Sequence, residues 1–148
     1  MADAPKPLLT RKSLKWVSAA FSYSGGGITD EWINIRHEVA LRPQTIQSIK
    51  KMSELFSTTF LPHLARQKEE SHQWIREGKL HTPTLLIWGY NDPSAIVDDG
   101  VELFRMIAPH VSRAQMHIFN QAGHYSYREH PEKFSRVVAD FIQTNHSL

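Results

Sequence analysis

Residues Thr84 to Trp88, Thr-Leu-Leu-Ile-Trp, make a continuous apolar run of strand length. A run without alternation suits a strand covered on both faces, as in a parallel sheet. Such a strand needs hydrogen-bonding neighbours on both edges. The chain offers one other clear strand, Ala114 to Phe119. Two parallel strands are not a stable unit by themselves. The run therefore reads as part of a larger sheet than these 148 residues supply.

The remaining pattern is helical. Arg11 to Tyr23 carries Leu14, Val17 and Phe21 at helical spacing, and Ser24-Gly25-Gly26-Gly27 reads as the turn that ends it. Thr29 caps a second helix, with Asp30 and Glu31 in its first turn, running to about Leu41. Two more are expected at Thr45 to Phe56 and Leu64 to Glu77, the latter closed by Gly78-Lys79. The pattern changes near His81-Thr82-Pro83, dividing the chain into residues 1–80 and 81–148. In the second part Asp98 or Asp99 can cap a helix containing Val101, Phe104, Ile107 and Ala108. Pro131 opens a last helix, whose Phe134, Val137, Val138, Phe141 and Ile142 recur at i, i+3, i+4, i+7, i+8. Strand, helix, strand, helix implies a right-handed parallel crossover.

Bulk properties exclude several classes. A net charge of +2 is too small to argue for nucleic acid. No apolar run approaches a membrane span, and no signal peptide is visible at Met1, so a soluble cytoplasmic protein is the expectation. Cysteine is absent, which removes thiolate chemistry and disulfides. His63, His72 and His81 recur every nine residues, a spacing that fits no metal motif.

Chemistry concentrates after the two strands. The first ends in Trp88-Gly89-Tyr90-Asn91-Asp92-Pro93, the second in Asn120-Gln121-Ala122-Gly123-His124. In a parallel sheet both turns emerge at the C-terminal edge, where ligands bind in α/β folds. Asp92 can then accept the imidazole N–H of His124, fixing its tautomer and stabilising the imidazolium formed on proton transfer. Taken singly, Asp92 also suits a plain Asp-Pro turn, and His124 a turn residue bonded to its own loop.

Trp88-Gly89-x-x-Asp92, Ala122-Gly123-His124 and Glu129-His130-Pro131 before an amphipathic helix resemble the C-terminal part of an α/β-hydrolase. The subgroup it is most similar to is the carbon–carbon hydrolases of meta-cleavage products. Ile28-Thr29-Asp30-Glu31 leading to Arg36, and the block His124-Tyr125-x-x-Arg128-Glu129-His130, carry that likeness. The resemblance implies that residues 1–80 are the helical lid and 81–148 the last two strands and helices. It implies Asp92 and His124 as the acid and base of a triad, Arg36 as a carboxylate or 2-oxo binder, and Tyr125 as a pocket wall. Arg36 reads otherwise as a solvated helix arginine, and Tyr125 as core packing. Neither a metal nor an organic cofactor is implied. In the implied reaction the histidine helps ketonise a dienol, and a serine-dependent attack with water then splits the C–C bond.

The chain also departs from this family. No Gly-x-Ser-x-Gly elbow occurs, and no oxyanion-hole segment is visible. Ser24 lacks both a preceding strand and a Gly two residues earlier. The nucleophile-bearing half is thus absent from these residues, which agrees with the missing sheet neighbours. A small-molecule substrate is expected only if that half is supplied. Self-association, or pairing with a chain that carries it, is the expected partnership. Other α/β-hydrolase chemistries (esterase, haloperoxidase, epoxide hydrolase) share these turns, and a non-catalytic binding or oligomerisation module is the remaining alternative.

Overall fold

The computed structural model describes residues 4–25 and 27–145. They cluster into two compact units. One takes in the chain up to Val17 together with Ile28–Gln73; the other takes in Ser18–Gly27 and the chain from Trp74 onward. These units are drawn differently from the 1–80 and 81–148 segments, because Ser18–Gly27 hydrogen-bonds to a turn of the second.

Helix α1 begins at Arg11 in the first unit and runs to Phe21, past the Val17 boundary and two residues short of the expected Tyr23. Thr10 caps it, its Oγ1 accepting from Ser13 N at 3.2 Å. Helix α2, Asp30–Ala40, is capped as the sequence indicates, with Thr29 Oγ1 accepting from Trp32 N at 3.1 Å. Ile33 and Ala40 are buried, as is Ser13 of α1. Helix α3 spans Pro43–Leu55, starting before the expected Thr45 because Pro43 occupies the first turn, where its missing N–H costs nothing.

The break expected between Phe56 and Leu64 does not occur. A single π turn, Phe56–Phe60, leads directly into α4, Leu61–Arg76. Pro62 would clash with a carbonyl four residues back in an unbroken α-helix. The wider turn accommodates it: Leu61 N–H bonds Phe56 O, five residues back. The Phe56 and Phe60 rings stack at 5.7 Å. None of α3, the π turn or α4 buries a residue, and Ile46, Ile49, Met52 and Phe56 are exposed. Gly78, at φ +70°, closes α4 as expected, with Gly78 N on Ile75 O and Lys79 N on Trp74 O.

The second unit holds strands β1, Thr84–Gly89, and β2, Ala114–Phe119, with helices α5, Val97–Ile107, α6, Ser126–Glu129, and α7, Pro131–Asn145. The strands are adjacent and parallel, in register from Thr84↔Ala114 to Gly89↔Phe119. Each has one sheet neighbour among the described residues. Accordingly Thr84 to Trp88 are only half-buried, although their composition suits full burial. The cap expected at Asp98 or Asp99 is corrected. Ile96 holds the extended N-cap position, and both aspartates lie inside the first turn, where the helix dipole favours them. Short α6 had no signal in the periodicity. Among the described residues no helix is long and apolar enough to cross a membrane.

Candidate functional site

The two strand ends are held together by backbone. Tyr90 N donates to Phe119 O and Asn91 N to Ala122 O, both at 2.9 Å. Gly89 makes this possible, since a Cβ there would run into Gly123 O and Ala122 O. Gln121, at φ +56°, turns the chain back after β2. Trp88 anchors the other side: its indole N–H donates to Ala95 O at 2.7 Å, and its ring lies against Gly100.

This framework brings Asp92 and His124 together, as their strand ends predict. His124 Nδ1 lies 2.7 Å from Asp92 Oδ2. The acid is buried, with 7% of its side chain exposed, whereas 51% of the histidine side chain is open. Asp92 Oδ1 accepts from Ser94 N at 2.8 Å, Ser94 Oγ at 2.7 Å and Ala95 N at 3.2 Å. Both sequence readings of Asp92 thus hold at once. One oxygen closes an Asx turn and the other meets the imidazole. Burial is the largest single influence on this carboxyl and pushes its pKa up. The hydrogen bonds from Ser94, His124 and Ala95 together outweigh it, so the group sits below its ordinary value and stays ionised.

A second carboxylate fixes the histidine turn. Glu129 Oε2 accepts from Gly123 N at 2.7 Å, and Oε1 from Ser22 Oγ and Tyr23 N, each at 2.8 Å, and from Ser24 N at 3.4 Å. His124 N donates to Phe21 O at 2.8 Å, and the Phe21 ring lies 5.9 Å from the imidazole. Of the Ser24–Gly27 tract read as a turn, Gly26 lies outside the described residues; Gly25 and Gly27 have positive φ, and Ser24 N–H on Glu129 ties the tract to the helix that follows the histidine loop. Arg128 donates Nε–H to Gly27 O at 2.9 Å. Sequence reasoning missed the Glu129 anchor, because three of its four donors lie more than a hundred residues away. Ser94 was missed as well, although Asp-Pro-Ser is a recognisable turn signal.

Tyr125 stands edge-on to His124, ring centroids 5.6 Å apart, and is half-buried. Arg36 lies in α2 of the first unit, its guanidinium 5.0 Å over the Trp32 ring. A cavity of about 170 Å3 opens at the pair, lined by Trp88, Gly89, Asp92, Ala95, Gly123 and His124.

The arrangement is a half-open imidazole paired with a buried carboxylate beside a small cavity. No family model matches the chain. It is 31% identical over 133 residues to 2-hydroxy-6-oxononadienedioate/2-hydroxy-6-oxononatrienedioate hydrolase 1 of Pseudomonas putida, covering 90% of this chain and 42% of that protein. It is 32% identical over 133 residues to the enzyme of that name from Cupriavidus pinatubonensis, covering 88% and 41%. The chain therefore spans under half the length of these relatives. Among solved structures, a serine hydrolase involved in carbazole degradation superposes with a TM-score of 0.68 at 21% identity, covering 93% of this chain and 48% of that one. A meta-cleavage product hydrolase from Pseudomonas fluorescens IP01 gives 0.65 at 24%, covering 91% and 46%. The chain thus carries the C-terminal part of an α/β-hydrolase fold, and its curated relatives are meta-cleavage product hydrolases.

Proposed function

We propose that this chain supplies the acid, the base and the lid of a hydrolase that cleaves a C–C bond in 2-hydroxy-6-oxo-dienoates. The observation that carries the reading is the 2.7 Å contact between His124 Nδ1 and a buried, ionised Asp92. The Nδ1–H donates its hydrogen bond to the acid and stays on the ring, which leaves Nε2 to exchange protons with nucleophile and substrate. His124 first helps ketonise the dienol. It then takes the proton of a serine hydroxyl as that oxygen attacks the carbonyl next to the scissile bond. Water completes the hydrolysis, giving a carboxylic acid and a hydroxydienoate.

The serine and its oxyanion donors lie outside these 148 residues, since the sequence contains no nucleophile elbow. Residues 1–80 act as lid and 81–148 as core. Arg36 takes the substrate carboxylate through its planar donor fork, and Tyr125 walls the pocket beside His124. The half-covered β1 pairs with a strand of the nucleophile-bearing segment, in the same chain or another.

The test supplies that segment from a full-length relative, by co-expression or fusion ahead of residue 1, and follows loss of the dienolate chromophore. Turnover is expected, and His124→Ala and Asp92→Asn should each reduce it by several orders of magnitude. Turnover that survives His124→Ala, or activity on simple esters with none on dienoates, refutes the reading.

A further inference from the structure

The Asp92 carboxylate is asymmetric in its partners. Oδ2 meets only the imidazole among the bonds described above, while Oδ1 takes Ser94 N, Ser94 Oγ and Ala95 N. The Ser94 hydroxyl also lies 3.2 Å from His124 Nδ1. We propose that Ser94 is a positioning residue for the acid–base pair, locking the carboxylate's rotation and holding the histidine proton on Nδ1. The proposal rests on the reading of His124 as a base.

Proton counting assigns the roles of the three groups. A serine hydroxyl has one proton and two lone pairs. Its 2.7 Å contact with Oδ1 uses the proton, because an ionised carboxylate only accepts. Toward Nδ1 the hydroxyl can therefore only accept. Nδ1 then faces two acceptors, Asp92 Oδ2 at 2.7 Å and Ser94 Oγ at 3.2 Å, and must carry the proton. A free neutral imidazole favours the proton on Nε2, which would block the lone pair a base needs. Ser94 and Asp92 together reverse that preference.

Local backbone explains why a serine can do this. Pro93 fixes φ and turns residue 94 back onto Asp92, so its N–H and hydroxyl reach the same oxygen. The backbone N–H alone would close the turn, so the hydroxyl is surplus to the turn. Ser94 is also exposed, so removing Oγ leaves no cavity in the core.

The test is 15N NMR of histidine-labelled chain, reading His124 Nδ1 and Nε2 shifts at a pH where the ring is neutral. The native chain is expected to show His124 mainly as the Nδ1–H form. Ser94→Ala should lower the ratio of Nδ1–H to Nε2–H by about five-fold, the worth of one hydrogen bond, with the amide spectrum and melting otherwise native. Ser94→Thr, which keeps the hydroxyl, should restore it. Ser94→Ala with native His124 shifts overturns the proposal, as does loss of the native amide spectrum in that variant, which would make the role structural. Asp92→Asn separates the two levels. If it shifts the tautomer and Ser94→Ala does not, only the role of Ser94 falls. If neither does, the acid–base reading falls too.

Discussion

Removing the half-buried Glu129 carboxylate should loosen the histidine turn more than deletion of any exposed charge in the second unit. The variant Glu129→Ala deprives four donors of their acceptor: Gly123 N, Ser22 Oγ, Tyr23 N and Ser24 N. They do not count equally. Tyr23 and Ser24 are exposed, so their N–H groups can turn to water at small cost. Gly123 is buried and backed by Phe21 O and Tyr23 N, closely enough that a Cβ would not fit. Its N–H is stranded, at about 1–3 kcal/mol. Adding roughly 1 kcal/mol for the exposed partners gives a loss of about 2–4 kcal/mol, or roughly 30- to 900-fold in local opening. Amide hydrogen exchange at Gly123, His124 and Tyr23 reads this directly. Glu132→Ala, in the first turn of α7, is the control and should leave those amides unchanged. Exchange at Gly123 and Tyr23 accelerated less than three-fold in Glu129→Ala would refute the claim that this carboxylate holds the turn.

Gly89→Ala should force the turns after β1 and β2 apart, because its Cβ meets backbone rather than a movable side chain. We expect a loss of at least about 2 kcal/mol in denaturant melts and disappearance of the His124–Asp92 coupling by NMR. The pH dependence follows from Asp92, whose folded pKa lies below its ordinary 3.8. Its contribution to stability is fully present above pH 3.8 and is lost as pH falls through the lower folded value. Asp92→Asn should therefore flatten that acid limb of a melting-versus-pH series, and an unchanged limb would contradict the assignment. The chain by itself should show no measurable dienoate or ester hydrolysis; turnover at ordinary enzyme rates, lost in His124→Ala, is the contrary result. It should also self-associate or capture a nucleophile-bearing segment through the open side of β1. Light scattering at micromolar concentration checks this, and a cooperatively melting monomer would argue against it.

Local chemistry was legible in the sequence wherever one residue decides the outcome. Thr29 capped its helix, Gly78 closed α4, and Pro131 opened α7. The parallel pairing of β1 and β2 followed from strand–helix–strand order, and with it the meeting of Asp92 and His124 on one sheet edge. Chain connectivity fixes which edge each turn leaves from, so spacing along the chain was enough. The tertiary structure decided what depends on partners distant in sequence. Glu129 reads as one more surface acid until Ser22 to Ser24 arrive from the far side of the chain. The run Phe56–Phe60 carries no mark of a π turn, because that geometry arises from how Pro62 competes with the helix around it. Ser94 is a turn residue by sequence, and only the approach of the His124 ring makes its hydroxyl a third partner of the pair. Composition marks β1 for burial on both faces, yet burial is a property of neighbours, and within these residues β1 has one.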